Sequence, residues 1–246
     1  MSHPERDARI AGLFDGIAAR YDLLNRVLSL GLDRVWRRRL VKAAGQGPVF
    51  VDLAAGTLDV SLALAQTNLR TRVLAMDVAG AMLRQGLKKI PPSHHSNIRA
   101  VLADARVLPL PDACADAATI AFGIRNIQPR AQAWAEILRI LKPGGRLCVL
   151  EFGTGRRRIW GGIYNLYLRY ILPRIGAVVS RDPTAYRYLA ETIAAFPDES
   201  LLAGEILESG FADVTYTPMT SGIVFLHTAL KAPATETVPF SAGNGP

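Results

Sequence analysis

The chain has 246 residues, half of them hydrophobic and a fifth charged. That length and composition suit one large α/β domain, or two small ones, with a full core and exclude disordered, collagen-like and disulfide-scaffold classes. The net charge of +8, from 29 Lys plus Arg against 21 Asp plus Glu, suits nucleic acid, an anionic membrane or acidic substrates.

Apolar periodicity predicts helices near 7–19 and 33–44, followed by short apolar strands alternating with helices. The strands are expected near 49–54, 73–77, 98–103, 117–122 and 146–151, and the helices near 59–66, 80–89 and 130–141. That alternation describes a parallel sheet covered on both faces. Lys142-Pro143-Gly144-Gly145 reads as a turn between a helix and the fifth strand. A helix near 198–209 and strands near 212–217 and 223–230 close the pattern, and residues 232–246 read as a disordered tail.

The charge is concentrated in two places. Arg34, Arg37, Arg38, Arg39 and Lys42 form one cluster, and Arg156, Arg157, Arg158, Arg169, Arg174 and Arg181 the other. Without these eleven cations +8 becomes −3, so the remainder is mildly acidic. The second cluster is interleaved with the apolar run 159–179, whose length nearly suits a membrane span. Arg169 and Arg174 in its middle argue against spanning, at about 2.5–3.5 kcal/mol each. Two readings stay open for it: core-packed helices kinked at Pro173, or an interfacial amphipathic segment. Cys114 and Cys148 show neither disulfide nor metal-ligand spacing, and no metal site is expected. The N-terminal segment lacks an apolar signal region, which points to a cytoplasmic setting.

The chemistry sits at strand ends. The turn Val51-Asp52-Leu53-Ala54-Ala55-Gly56-Thr57-Leu58-Asp59 is small enough for close ligand approach. It has neither the Gly-Lys-Ser/Thr of a P-loop nor the three glycines of a dinucleotide binder. Asp77 closes the second strand, where a carboxylate can accept both ribose hydroxyls. Asp104 closes the third, placed for an adenine amino group. Either acid alone could be a helix cap; together with the turn they favour a nucleoside-type cofactor.

With FDGIAARYDLLNRVLSLGLDRVWR (14–37), VDLAAGTLD (51–59), DARVLPLPD (104–112), FGIRN (122–126) and ILRILKPGGRLCVLEF (137–152), the chain resembles the ubiquinone/menaquinone-biosynthesis C-methyltransferases. These are class I S-adenosylmethionine (SAM) methyltransferases, and the resemblance spans roughly residues 10–231. It implies a Rossmann-like α/β fold with a seven-stranded, mostly parallel sheet and helices on both faces. Residues 1–48 would be N-terminal helices covering the substrate site, and 49–231 the methyltransferase domain with a helical insert at about 156–197. The implied reaction moves a methyl group from SAM to a ring carbon of a prenylated hydroquinone. Asp52, Gly56, Thr57, Asp77, Asp104, Ala105 and Ala121 would serve SAM. Arg125 and Asn126 would face the ring, with Tyr21, Asp22 and Tyr186 as candidates for the proton-handling shell. The expected partners are the hydroquinone and an anionic membrane surface, approached peripherally from the cytoplasmic side, and not nucleic acid. A homodimer or a quinone-biosynthesis complex is compatible with the sequence.

Two positions depart from the pattern. Leu58 stands where similar proteins read Gly-Thr-Gly-Asp, and Ala121 replaces a serine. A leucine that intruded on the cofactor, or that cost about 1–2 kcal/mol at positive φ, would weaken SAM binding about tenfold. That effect would leave a weakly active or inactive scaffold subunit as the alternative function. A Leu58 that starts the helix and points into the core would do neither.

Overall fold

The computed structural model describes residues 3–153, 188 and 191–234. Tyr186, the basic cluster at 156–181, the apolar run 159–179 and the tail beyond 234 lie outside the described residues.

Seven strands form one sheet in the order β3-β2-β1-β4-β5-β7-β6. They are β1 (Val49–Leu53), β2 (Arg72–Asp77), β3 (Ile98–Leu102), β4 (Ala115–Ala121), β5 (Leu141–Phe152), β6 (Ala212–Met219) and β7 (Val224–Leu230). β1 to β5 pair in parallel, and β7 runs antiparallel to both of its neighbours, β5 and β6. This is the class I SAM-dependent methyltransferase sheet. The order reverses between β1, which pairs with β2, and β4, and the crevice at such a switch point is where open α/β sheets bind ligands.

Helices cover both faces because the strands alternate two kinds of burial. On one face Phe50, Cys148 and Leu150 pack with Trp36 and Leu40 of α3 (Asp33–Ala44) and Leu64 of α4 (Asp59–Ala65). On the other, Val51, Leu53, Leu147 and Val149 pack with Trp134 and Ile137 of α6 (Arg130–Ile140) and Ile206 of α7 (Glu199–Glu208). Between β2 and β3, α5 (Gly80–Leu87) returns the chain. Asp198 caps α7 by accepting from the backbone amides of Ser200 and Leu201 at 3.0 and 2.9 Å.

Every predicted strand and helix of the sheet domain has its counterpart. Two local differences have physical causes. The first N-terminal helix is α1 (His3–Ile17), and a separate α2 (Tyr21–Leu28) follows it. Lys142-Pro143-Gly144-Gly145 belongs to β5 rather than to a free turn. The β4 register jumps there from Leu141 to Arg146, and Lys231 tethers the bulge through Gly144 and Gly145.

Candidate active site

A cleft of about 780 Å³, open to solvent, lies over the carboxyl ends of β1, β2, β3 and β4. Asp77, Asp104 and Arg106 line it, as do Gly123, Asn126 and Ile127. Ile10 and Phe14 of α1 and Tyr21 of α2 line it from the N-terminal side.

The backbone around the cleft is strained. Ala54 (φ 49°), Leu58 (φ 65°) and Phe122 (φ 58°) all adopt the left-handed region that side chains disfavour, a conformation that persists only where the surroundings enforce it. Gly56 (φ 53°) lies in the same turn, and a Cβ there would stand 3.5 Å from Met82 Cε. At Gly123 a Cβ would be 2.4 Å from that of Ala54, so the β1 and β4 turns meet only because that position has none.

Asp77 ties the cleft together. Its carboxylate accepts from the amides of Gly56 and Ala79, each at 2.8 Å. Burial holds its acidity below that of an ordinary carboxyl despite these bonds. Two acceptors with spare lone pairs at a strand end suit a vicinal diol. Asp104 is clamped by Arg106, whose Nε lies 3.0 and 3.1 Å from its two oxygens, and this pairing lowers its pKa. Ala105 and Ala121 line the cleft as expected.

Other expected residues sit behind the cleft. Asp52 is 1% exposed and receives bonds from Ser61 Oγ at 2.6 Å and Thr119 Oγ1 at 2.8 Å. Burial pushes its pKa up to about 6. Strand alternation explains the placement: Asp52 shares its face with Phe50 and points at α4. Thr57 is also buried, and its hydroxyl donates to Asp22. Asp22 accepts as well from Lys89 Nζ at 2.6 Å, and Lys89 reaches Asp59 at the same distance. Arg37 then bridges Asp59 at 2.7 Å and Asp33 at 2.8 Å. This chain of charges joins α2 and α3 to the turn between β1 and α4, so Asp22 braces the turn instead of lining the cleft.

Leu58 does not intrude on the cleft. Its side chain is 1% exposed and fills the hole above Gly86, where a Cβ would lie 2.4 Å from Leu58 Cγ. Its side chain joins the core, so intrusion on the cofactor is excluded as a cause of weak SAM binding, while the backbone keeps the positive φ of a turn glycine.

Arg125 and Asn126 occupy a short 3₁₀ turn after β4. Asn126 lines the cleft, and its Oδ1 accepts from Tyr188 OH at 3.0 Å. Arg125 is 8% exposed rather than open to the cleft. Its Nη1 donates to Glu151 at 2.9 and 3.1 Å and to the Phe122 carbonyl, while its buried Nε has no acceptor among the described residues. Glu151 and Tyr188 were not foreseen. A carboxylate at the end of the fifth strand was a usable signal for Glu151, whereas nothing in Tyr186-Arg187-Tyr188 singled out the second tyrosine. Beside the Arg125–Glu151 pair, Phe122 and Phe152 stack with centroids 4.7 Å apart, and Trp36 packs on both.

No group of three or more metal-ligating side chains occurs among the described residues, and no helix among them is long and apolar enough to cross a membrane. Among solved structures, a SAM-dependent methyltransferase from Aquifex aeolicus superimposes with a TM-score of 0.58 at 17% identity, over 79% of this chain and 88% of that one. The ubiquinone/menaquinone biosynthesis C-methyltransferase UbiE of Syntrophotalea carbinolica is 44% identical over 93% of this chain and 96% of its own length. The protein of that name from Shewanella sediminis is 39% identical over 90% of each. The model of the ubiE/COQ5 methyltransferase family matches residues 3–231. With this sheet and this extent of similarity, the chain belongs to the ubiE/COQ5 methyltransferase family.

Proposed function

We propose that this methyltransferase transfers a methyl group from SAM to a ring carbon of a polyprenylated hydroquinone in menaquinone or ubiquinone biosynthesis. The observation that supports this reading is one cleft lined by both Asp77, at the end of β2, and Asn126, with the buried Arg125 beside Asn126 in the same turn. Relatives of nearly the same length carry that activity in their names.

When bound, SAM supplies the methyl group. The chain's own residues do the rest. Asp77 would hold the ribose hydroxyls, Asp104 and Ala105 would border the base, and Gly56 would let the backbone approach. Asp52 and Thr57 act from beneath, fixing the turn through Ser61, Thr119 and Asp22. Carbon methylation needs an electron-rich ring, so negative charge grows on the neighbouring ring oxygen. Asn126 would offer a directed amide from the cleft wall, and the buried Arg125, paired with Glu151, would act from behind it, both oriented before the reaction by Tyr188 and Glu151. Arginine stays protonated and cannot serve as the base. The ring proton therefore leaves to water or to the tyrosine shell, where Tyr21 lines the cleft.

The prenylated substrate places the reaction at a lipid surface, and the basic clusters favour an anionic one. Incubation of the purified protein with methyl-labelled SAM and vesicles carrying demethylmenaquinol tests the reaction. Label is expected in the quinone fraction; no label in any quinone-fraction lipid, from such vesicles or from a membrane extract, would overturn the reading.

A further inference from the structure

We propose that the corner between α2 and α3 is the surface that docks on an anionic bilayer. The proposal rests on the reading that the enzyme works at a lipid surface, and it names the residues that meet the lipid.

The corner presents apolar side chains that a water-facing corner has no use for. Leu30, in the left-handed region at φ 51°, is 86% exposed, so an unfavourable backbone holds a leucine out in solvent. Leu23 on α2 and Val35 on α3 are 57% and 47% exposed, and Leu32 lies between them at 38%. Behind this apolar tip the outer face of α3 carries Arg34, Arg38, Arg39 and Lys42, all exposed. The nearby acids are already paired: Asp33 is 2% exposed and bonded to Arg37, and Asp22 is bonded to Lys89 and Thr57. An apolar tip flanked by exposed cations fits a leaflet of anionic headgroups over acyl chains. A nucleic acid would reward the cations but not the leucines.

The corner is also braced. Ser29 Oγ donates to Asp33 at 3.0 Å, and the Leu32 amide donates to the Ser29 carbonyl at 3.0 Å, so the tip is held in place before it meets lipid. Its position suits the substrate. The opposite face of α3 carries Trp36 against Phe122, a cleft-lining ring, with centroids 6.1 Å apart. Tyr21, two residues before Leu23, lines the same cleft. One helical corner thus turns its outer side to lipid and its inner side to the site, which lets a long tail stay in the bilayer while its ring enters.

The test uses the full chain and flotation with phosphatidylcholine vesicles, with and without phosphatidylglycerol. Wild type is expected to float with the anionic vesicles. Leu23→Ser/Leu30→Ser should weaken that binding by about tenfold or more, since each leucine loses buried apolar surface. Arg34→Gln/Arg38→Gln/Arg39→Gln should abolish the preference for phosphatidylglycerol. Both variants should melt as wild type does and methylate a hydroquinone with a short, water-soluble tail at the wild-type rate. Variants that float like wild type overturn the assignment of this corner while leaving membrane docking intact. A wild-type protein that floats with neither vesicle overturns both.

Discussion

Replacing Leu58 by glycine sets two opposing effects against each other in one residue. Glycine relieves the left-handed backbone at φ 65°, a gain of about 1–2 kcal/mol. It also empties the hole above Gly86 that the 1%-exposed side chain fills. Core leucine truncations cost about 2–5 kcal/mol, with the cavity included. The loss outweighs the gain by about 2 kcal/mol, which for a domain of this size lowers Tm by roughly 4–8 °C. Because the side chain points away from the cleft, calorimetric titration should find SAM affinity changed by less than about threefold, or about 0.7 kcal/mol. Thermal unfolding and titration on the same preparation separate the two effects. A variant that is more stable than wild type and binds SAM ten times more tightly would refute the placement of Leu58 in the core.

Three further outcomes follow from buried charge. Asp52 has a folded pKa of about 6 against 3.8 for the ordinary group, so the folded state binds its proton more tightly. Its contribution is fully present below about pH 4, declines as the pH rises, and above pH 6 amounts to a loss of about 3 kcal/mol. Asp52→Asn keeps partners for Ser61 and Thr119 and should raise Tm at pH 7.5 but not at pH 4; an unchanged melting profile across that window would show that the buried charge is not the cause. Asp77→Asn turns an N–H toward one of the two amides that Asp77 now accepts from, at about 1–3 kcal/mol, and SAM binding measured by calorimetry should weaken about tenfold or more. Glu151→Ala leaves Arg125 buried without its partner and should cost about 3–5 kcal/mol in denaturant unfolding. The pair Arg125→Met/Glu151→Leu should recover most of that stability yet stay inactive, and an active double variant would exclude Arg125 from the reaction.

Much of this architecture was legible because its signals are local. Val49–Leu53 and Arg72–Asp77 are short apolar runs bounded by turn residues, and such runs read as buried parallel strands without tertiary information. That Asp77, the last residue of its strand, lines the cleft was legible for the same reason. Asp52 was harder, because one position earlier in a strand reverses the face, and only the pairing of β1 shows where the sheet edge falls. The pairing of Arg125 was not legible, although a carboxylate at a strand end was a signal for Glu151 by itself. Glu151 lies 26 residues away on the next strand, and no spacing rule links a 3₁₀ turn to it. Tyr21–Leu28 was missed as a helix because eight residues with little intrinsic stability form one only when packed.

The chain of charges from Thr57 through Asp22, Lys89, Asp59 and Arg37 to Asp33 has a consequence for how the molecule opens. Its members belong to α2, α3, the start of α4 and the segment after α5, so neither the turn nor the N-terminal helices can come loose without unpairing the other. Cooperative opening of this kind makes the two a single unit in hydrogen exchange, although Leu28 and Thr57 lie 29 positions apart in sequence. Linkage is reciprocal: a ligand that firms the turn protects the helical cover by the same free energy, and a nick in the cover loosens the ligand equally.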